Sequence, residues 1–250
     1  MAGENLREKI GCLIFMIFFI LVVLMVLKIQ SGGEQNFYTV IGIMNAFFIL
    51  LGPYLFFKSQ YFIYLNAINF EDINTILCWI KISSIASALS ACLTIMLGIQ
   101  FPTRQFERGK KYGYFVFISM IIFGLGMFFM SISAAMLYKI IRLILEGENI
   151  IWEELDRLVF FLKIGFLLLL IGDIAVGVSV ALYFNKAKEN FYGVVVLILA
   201  VLSLAIFIVG FRWIRSSLSF EIIRGLQLIM IGFYLIILKY IFISLGRLGS

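Results

Sequence analysis

Long apolar segments separated by short polar connections run through the whole chain. Seven of them reach the length of about 20 residues that a helix needs to cross a bilayer. They lie at 10–28, 37–57, 80–101, 113–138, 162–184, 191–211 and 224–245. Because backbone polar groups must be satisfied within lipid, each segment is expected to be a helix, with Pro53 and Pro102 near span ends. The pattern therefore predicts an all-α membrane protein with seven transmembrane helices.

A phrase that occurs twice indicates that these helices form internal repeats. The two copies are FEDINTILCWIKI at 70–82 and WEELDRLVFFLKI at 152–164, and a second pair is QNFYTV at 35–40 and ENFYGV at 189–194. The prediction is one transmembrane domain, 1–250, with units at about 1–58, 70–142 and 152–215 and an extra helix at 220–245. Because each unit holds two spans, the three units are expected to be parallel, related by an axis along the membrane normal.

The repeated phrase is interpreted as an anchor that sets helix depth. Glu71 and Asp72 fall in a first turn, where carboxylates favour the positive end of the helix dipole. Apolar residues follow at helical spacing, which predicts an amphipathic entry turn at the interface. Basic side chains then extend to the head groups, and tryptophans mark the interfacial belt. The predicted anchors are Lys9, Lys81, Lys163, Arg224, Trp79, Trp152 and Trp213.

Asp173 is the sharpest functional candidate, because it lies ten residues beyond Lys163, in the middle of a predicted span. A carboxylate at the bilayer centre costs about 2.5 kcal/mol or more, so Asp173 is expected to face protein or water. Its repeat equivalents are Ala91 and Phe19, so only one unit carries the acid. One interpretation is a site for an ion, a proton or a bound cation. The other is a protonated carboxyl hydrogen-bonded to Ser or Thr of a neighbouring helix, or to a partner subunit.

Small residues at helical spacing predict where helices approach each other closely. The three predicted faces are Gly165, Gly177 and Ala181 beside Asp173; Ser83, Ser87 and Ala91 in KISSIASALSACLT; and Gly124, Ser131 and Ala135 in the following span. For the serine face, a hydroxyl-lined pathway is the alternative interpretation. Asn45 and Gln227 are further candidates for hydrogen bonds between helices.

Composition places the chain in a bilayer and removes several chemistries. Hydrophobic residues make up 63% of it and charged residues 14%, with a mean hydropathy of +1.11. The chain has no histidine, which excludes His-ligated haem, His-containing metal sites and Ser-His or Cys-His catalytic pairs. Its three cysteines are odd in number, which argues against a disulfide framework. No catalytic motif is found, so we expect no enzyme, no cofactor and no metal.

The charge distribution bears on partners and orientation. The net charge of +6 comes from basic residues scattered among helix ends, which favours anionic lipid head groups and argues against nucleic acid. Eleven Lys and Arg residues fall on the side of the N-terminus and nine on the other. By the positive-inside rule this predicts a multi-pass protein of the cell membrane with a cytoplasmic N-terminus. The expected partners are the lipid bilayer and other membrane subunits or further copies of the chain.

A resemblance to a known family agrees with this architecture. The repeated Lys-Ile-Gly before an apolar run, as in KIGFLLLLIGD, the two-helix period and the high isoleucine content resemble uncharacterised multi-pass membrane proteins of archaeal genomes. The resemblance covers most of the chain and implies a multi-pass helical fold. That family has no assigned activity or functional residues, so the resemblance implies none here.

Two functions from different classes fit the sequence. The first is a non-catalytic integral membrane subunit or scaffold of a larger membrane complex, suggested by minimal loops, small-residue faces and one buried acid. The second is a transporter or channel for a small ion or solute, with Asp173 as the binding carboxylate and the serine face as part of the route.

Overall fold

The computed structural model describes residues 34–65, 70–103, 110–148, 152–186, 190–215 and 219–245, and this part of the chain is all helical, with one short turn at 146–148. The elements are α1 (Glu34–Ile49), a π-helical turn (Leu50–Tyr54), α2 (Leu55–Leu65), α3 (Phe70–Thr103), α4 (Lys110–Leu145), α5 (Trp152–Lys186), α6 (Asn190–Ile214) and α7 (Ser219–Leu245). Because α1, the π turn and α2 are continuous, the described chain consists of six helical rods joined by short connections.

Each of the six rods is long and apolar enough to cross a membrane. The candidate spans are Val40–Ile63, Ile73–Ile99, Lys111–Leu145, Trp152–Asn185, Asn190–Ile214 and Glu221–Ile243. They correspond to the second to seventh spans predicted from the sequence. The first predicted span, 10–28, and the predicted anchor Lys9 lie outside the described residues. The described rods therefore fit a multi-pass membrane protein.

The rods pack as a closed ring around a common core. Rods that follow each other in sequence are neighbours in space from α3 to α7, and the rod of α1 and α2 packs against both α3 and α7. All six rods contribute buried side chains to one core. Apolar side chains such as Phe115, Leu167 and Ile208 are exposed on the outside, as expected of a surface that faces lipid. A polar group that points inward is therefore kept away from lipid.

The rod of α1 and α2 corrects the prediction that a span ends shortly after Pro53. The helix continues through Pro53 to Leu65, and residues 50–54 widen into the π turn. Proline lacks a backbone N–H and its ring clashes with the preceding turn, so the regular hydrogen-bond ladder cannot pass through it unchanged. Ser83 of α3 donates a hydrogen bond of 2.7 Å to the Gly52 carbonyl oxygen. A neighbouring helix thus satisfies a carbonyl of the widened turn.

The twice-written phrase forms the first turns of α3 and α5. α3 begins at Phe70 and α5 at Trp152, and both helices continue without a break past Lys81 and Lys163. Ile76 is buried against the core, whereas both lysines are exposed. A continuous helix keeps its N–H groups in one ladder, which avoids the unsatisfied groups of a second helix start. The predicted entry turn is therefore part of the spanning helix.

Trp79, Trp152 and Trp213 lie at one end of the ring, which we call the tryptophan end. This end also holds the connections α2 to α3, α4 to α5 and α6 to α7. The Lys58 ammonium lies 4.8 Å from the centre of the Trp79 ring, and the Arg224 guanidinium lies 5.9 Å from that of Trp213. Both distances are within the range of cation–π contacts. The tryptophan end therefore combines basic and aromatic side chains, as membrane interfaces favour.

Candidate functional site

A buried ion pair joins α5 and α7 in the middle of the ring. Asp173 is 1% exposed and Lys239 is fully buried, and the Lys239 ammonium donates to the Asp173 carboxylate oxygen Oδ1. Because α6 lies between α5 and α7 in the ring, the long Lys239 side chain reaches across the core. Either charge alone would cost several kcal/mol in such a place, and a well-placed partner offsets that cost. Asp173 and Lys239 are the centre of the candidate site.

Oxygen atoms and aromatic rings complete the surroundings of this pair. Lys239 Nζ donates a second hydrogen bond, of 3.2 Å, to the backbone carbonyl oxygen of Asp173. The ring centres of Phe123 and Tyr240 lie 5.5 and 5.4 Å from Nζ, within cation–π range. Ser203 of α6 donates a hydrogen bond of 2.5 Å to the other carboxylate oxygen, Oδ2. Both carboxylate oxygens of Asp173 therefore have a donor, and four helices meet at one charged centre.

A second buried polar cluster lies beside the ion pair, between α1 and α3. The Asn45 amide donates to the Thr94 hydroxyl at 2.9 Å and accepts from the Ser90 hydroxyl at 2.7 Å. The predicted hydrogen bond from Asn45 to another helix is confirmed. Tyr240 of α7 connects the two clusters, because its hydroxyl interacts with both Thr94 and Asp173. Polar groups of α1, α3, α5, α6 and α7 thus form one buried line.

Four buried phenylalanines lie between the ion pair and the tryptophan end. They are Phe57 of α2, Phe166 of α5, Phe207 of α6 and Phe233 of α7. Their ring centroids are separated by 5.9, 5.4, 5.2 and 5.6 Å around a closed cycle, from Phe57 through Phe166, Phe207 and Phe233. We call this group the phenylalanine plug. The buried polar line therefore runs from Asp173 away from the tryptophan end, since the plug occupies the core on that side.

The predicted small residues of α5 contact two different neighbours. A β-carbon built on Gly165 would lie 2.9 Å from the nearest side-chain atom of α4, and one on Gly177 would lie 2.4 Å from the nearest atom of α6. Ala181 also contacts α6, where a β-carbon on Gly193 would lie 3.1 Å from its carbonyl oxygen. Positions four apart on a helix rotate by about 40°. The row therefore turns from α4 to α6, instead of forming one narrow face, and Asp173 lies between these contacts.

Polar contacts hold the rod of α1 and α2 on both sides. On the α3 side, Ser83 binds the Gly52 carbonyl, and a β-carbon on Gly52 would lie 2.6 Å from the buried Ser87 Oγ. On the α7 side, Gln227 donates a hydrogen bond of 3.3 Å to the Tyr61 hydroxyl, which confirms the predicted hydrogen bond of Gln227 between helices. The serine face of α3 therefore packs directly on the π turn.

The predicted strip of α4 packs on α3 over only part of its length. A β-carbon on Gly124 would lie 3.2 Å from the Ala91 carbonyl oxygen. Ser131 donates a 2.7 Å hydrogen bond to the Ser84 carbonyl, and Ser84 donates a 3.0 Å bond to the Ser131 carbonyl. Ala135 is exposed, and the structure therefore corrects its placement in this interface. The core face of α4 passes through Ala134, so the neighbouring position turns outward.

Sequence reasoning missed Lys239 and Ser203. Lys239 lies near the end of the predicted span 224–245, where a lysine is expected to extend to the head groups. The usable signal was a second charge inside a span, since intramembrane charges pair with one another. Ser203 gave no such signal, because single serines are ordinary in transmembrane helices.

The fold and the site define a class: a multi-pass helical membrane protein with an ion pair buried at its centre. Across the described ranges, no group of three or more His, Cys, Asp or Glu residues is placed to hold a metal ion. No family model matches the chain, and neither a curated protein nor a solved structure matches it. Function must therefore be inferred from the residues of this chain.

Proposed function

We propose that this protein transports a small cation and that Asp173 is the carboxylate that binds it. The observation that carries the proposal is the ion pair of Asp173 and Lys239, buried at the centre of a closed helix ring. Charged residues inside membrane spans are rare and costly, and they mark ion pathways, proton relays and counter-ions of ligands. A well-packed apolar contact would join the helices at no desolvation cost. The charges therefore point to a role beyond packing.

In this proposal Lys239 is the counter-charge of Asp173 whenever no transported cation is bound. A carboxylate left alone in the core is unfavourable by several kcal/mol, so Asp173 needs a positive partner at each stage. When a cation binds at Oδ1, the Lys239 ammonium withdraws, and the site stays neutral through the exchange. Ser203 holds Oδ2 and thereby keeps the carboxylate in position while its partner changes.

The surroundings of the pair suggest the direction of access. Tyr240, Thr94 and Asn45 lead from Asp173 toward the end opposite the tryptophan end. Hydroxyl and amide oxygens along such a line can replace part of the hydration shell of a cation. The phenylalanine plug offers no such oxygen on the other side. A cation is therefore expected to reach Asp173 from the opposite end in this conformation.

The proposal retains the complete architecture predicted from the sequence. This is a seven-helix domain of three parallel hairpins plus one helix, with a cytoplasmic N-terminus and the resemblance to the archaeal family. The packing of α3 on α4 and of α5 on α6, and the matched openings at 70–82 and 152–164, support it. Parallel repeats occur in transporters. A transporter of this kind needs no catalytic group and no cofactor, in line with the expectation that the chain is not an enzyme.

Flux through the purified protein in liposomes tests the proposal. Gradients of protons and of several monovalent cations are supplied in turn, and uptake is measured. The variant Asp173→Asn/Lys239→Gln removes both charges together, so the core keeps no lone charge, and we expect its flux to fall to background. Asp156→Asn, which changes an exposed carboxylate of the same helix, is the matched control and keeps its flux. Undiminished flux in the double variant, or no flux of any cation in the wild type, contradicts the proposal.

A non-catalytic subunit or scaffold is the second candidate, and one observation favours it. Both carboxylate oxygens of Asp173 already have donors within the ring, and a site satisfied in this way can fix helix positions without a ligand. Other membrane subunits or further copies would then bind the outer surface. Native mass spectrometry of the protein, taken gently from its own membrane, separates the candidates: stoichiometric partners favour the scaffold, and an isolated protein with flux favours transport.

A further inference from the structure

The Lys239 ammonium has an unusual set of neighbours for a cation. Over the described residues, both of its hydrogen bonds go to Asp173, one to the carboxylate and one to the backbone carbonyl. The faces of the Phe123 and Tyr240 rings supply the rest of its printed surroundings. The shell is thus made of two oxygen atoms of one residue and two aromatic rings, fully closed from solvent.

This shell discriminates between kinds of cation. A bare metal cation must replace its hydration water with several oxygen atoms, typically about six for a hard divalent ion, and rings of carbonyls do so in channels. An ammonium group instead directs N–H donors at individual acceptors and is attracted to the faces of aromatic rings. Two acceptors and two ring faces therefore suit an ammonium group better than a metal ion.

We infer that the cation exchanged for Lys239 at Asp173 is ammonium or a small primary amine. This inference rests on the proposed transport function and names its substrate class. The buried stem of Lys239 adds a second argument, because its methylene groups lie in the core together with the ammonium. The site therefore has room for a short alkyl chain that ends in a positive charge.

Removing the tethered ammonium tests the chemistry of the site directly. Lys239→Ala keeps the β-carbon and removes three methylene groups and the ammonium, which are the atoms of n-propylammonium. We expect the thermal unfolding midpoint of this variant in detergent to fall and to rise again by several degrees with n-propylammonium chloride, because a ligand of the native state stabilises it. If the variant is lost during purification, propylammonium in the buffers is expected to recover it.

Controls show whether the response belongs to the site. Sodium chloride, potassium chloride and 1-propanol at the same concentration are expected to leave the midpoint of Lys239→Ala unchanged. Asp173→Asn/Lys239→Ala, which lacks the carboxylate, and Lys163→Ala, which removes an exposed lysine of α5, are expected not to respond to the amine. Failure of propylammonium to stabilise or recover Lys239→Ala, or an equal response to sodium, overturns the inference.

Liposome flux separates this inference from the proposed function. Uptake of labelled methylammonium by the wild type, reduced at least tenfold in Asp173→Asn/Lys239→Gln, supports both. Sodium or proton flux that depends on Asp173, without methylammonium uptake, leaves the transport proposal standing and overturns the substrate class. Amine stabilisation of Lys239→Ala without flux of any cation in the wild type supports an amine-type site and overturns transport.

Discussion

Two regions of the ring join their helices with different chemistry. Among α1, α3 and α4 the contacts are neutral: Asn45 bonds two hydroxyls of α3, and Ser84 and Ser131 bond each other's backbone carbonyls. Among α5, α6 and α7 the central contact is charged, between Asp173 and Lys239. Both regions are buried, so they differ in the consequence of losing one partner.

Local alternatives explain this difference. A hydroxyl that loses its partner can donate to a carbonyl of its own helix, as Ser119 and Ser133 of α4 do, at 2.7 and 2.9 Å. A buried ammonium or carboxylate has no comparable local substitute. Neutral contacts are therefore replaceable one at a time, whereas the charged contact ties two helices together.

The largest expected effect comes from breaking the ion pair on one side. Asp173→Asn or Lys239→Met alone leaves a lone buried charge and should lower the free energy of unfolding by about 3–5 kcal/mol. The variant Asp173→Asn/Lys239→Met should lose much less than the sum of the two. Denaturant titration in mixed micelles measures all three, and additive losses would show that the two side chains are not coupled.

An intermediate effect is expected at Asn45. Asn45→Leu removes two hydrogen bonds to α3 and should lower the free energy of unfolding by about 1–2 kcal/mol, because Ser90 and Thr94 can then bond within their own helix. The same titration measures it. A loss as large as that of Asp173→Asn would remove the distinction between the neutral and charged regions.

The smallest effect is expected at the pair of serines. Ser131→Ala should lower the free energy of unfolding by about 0.6 kcal/mol, the average for a hydrogen bond between membrane helices. Ser84→Ala should do the same, and the double variant measures their coupling. A coupling energy above that of the ion pair would reverse the comparison.

The spans and Asp173 could be predicted because each is a property of one helix: apolar length, or a charge within it. The partner of Asp173 could not, since it depends on how α7 is rotated toward α5, and the sequence pattern of a single helix carries no such information. The same limit explains Ala135, whose spacing fits a face that the structure turns outward. Pro53 was misplaced for another reason, because the neighbouring α3 supplies a hydrogen bond that lets the helix continue.

The position of Lys239 in the last described helix bears on how the protein is made. Lys239 is synthesised 66 residues after Asp173, a delay of roughly 3–13 s at synthesis rates of about 5–20 residues per second. During that interval the nascent chain carries an acid without its basic partner. Insertion of α7 is then the step that completes the core, so a chain truncated before α7 would display an unmatched carboxylate that cellular quality control can recognise.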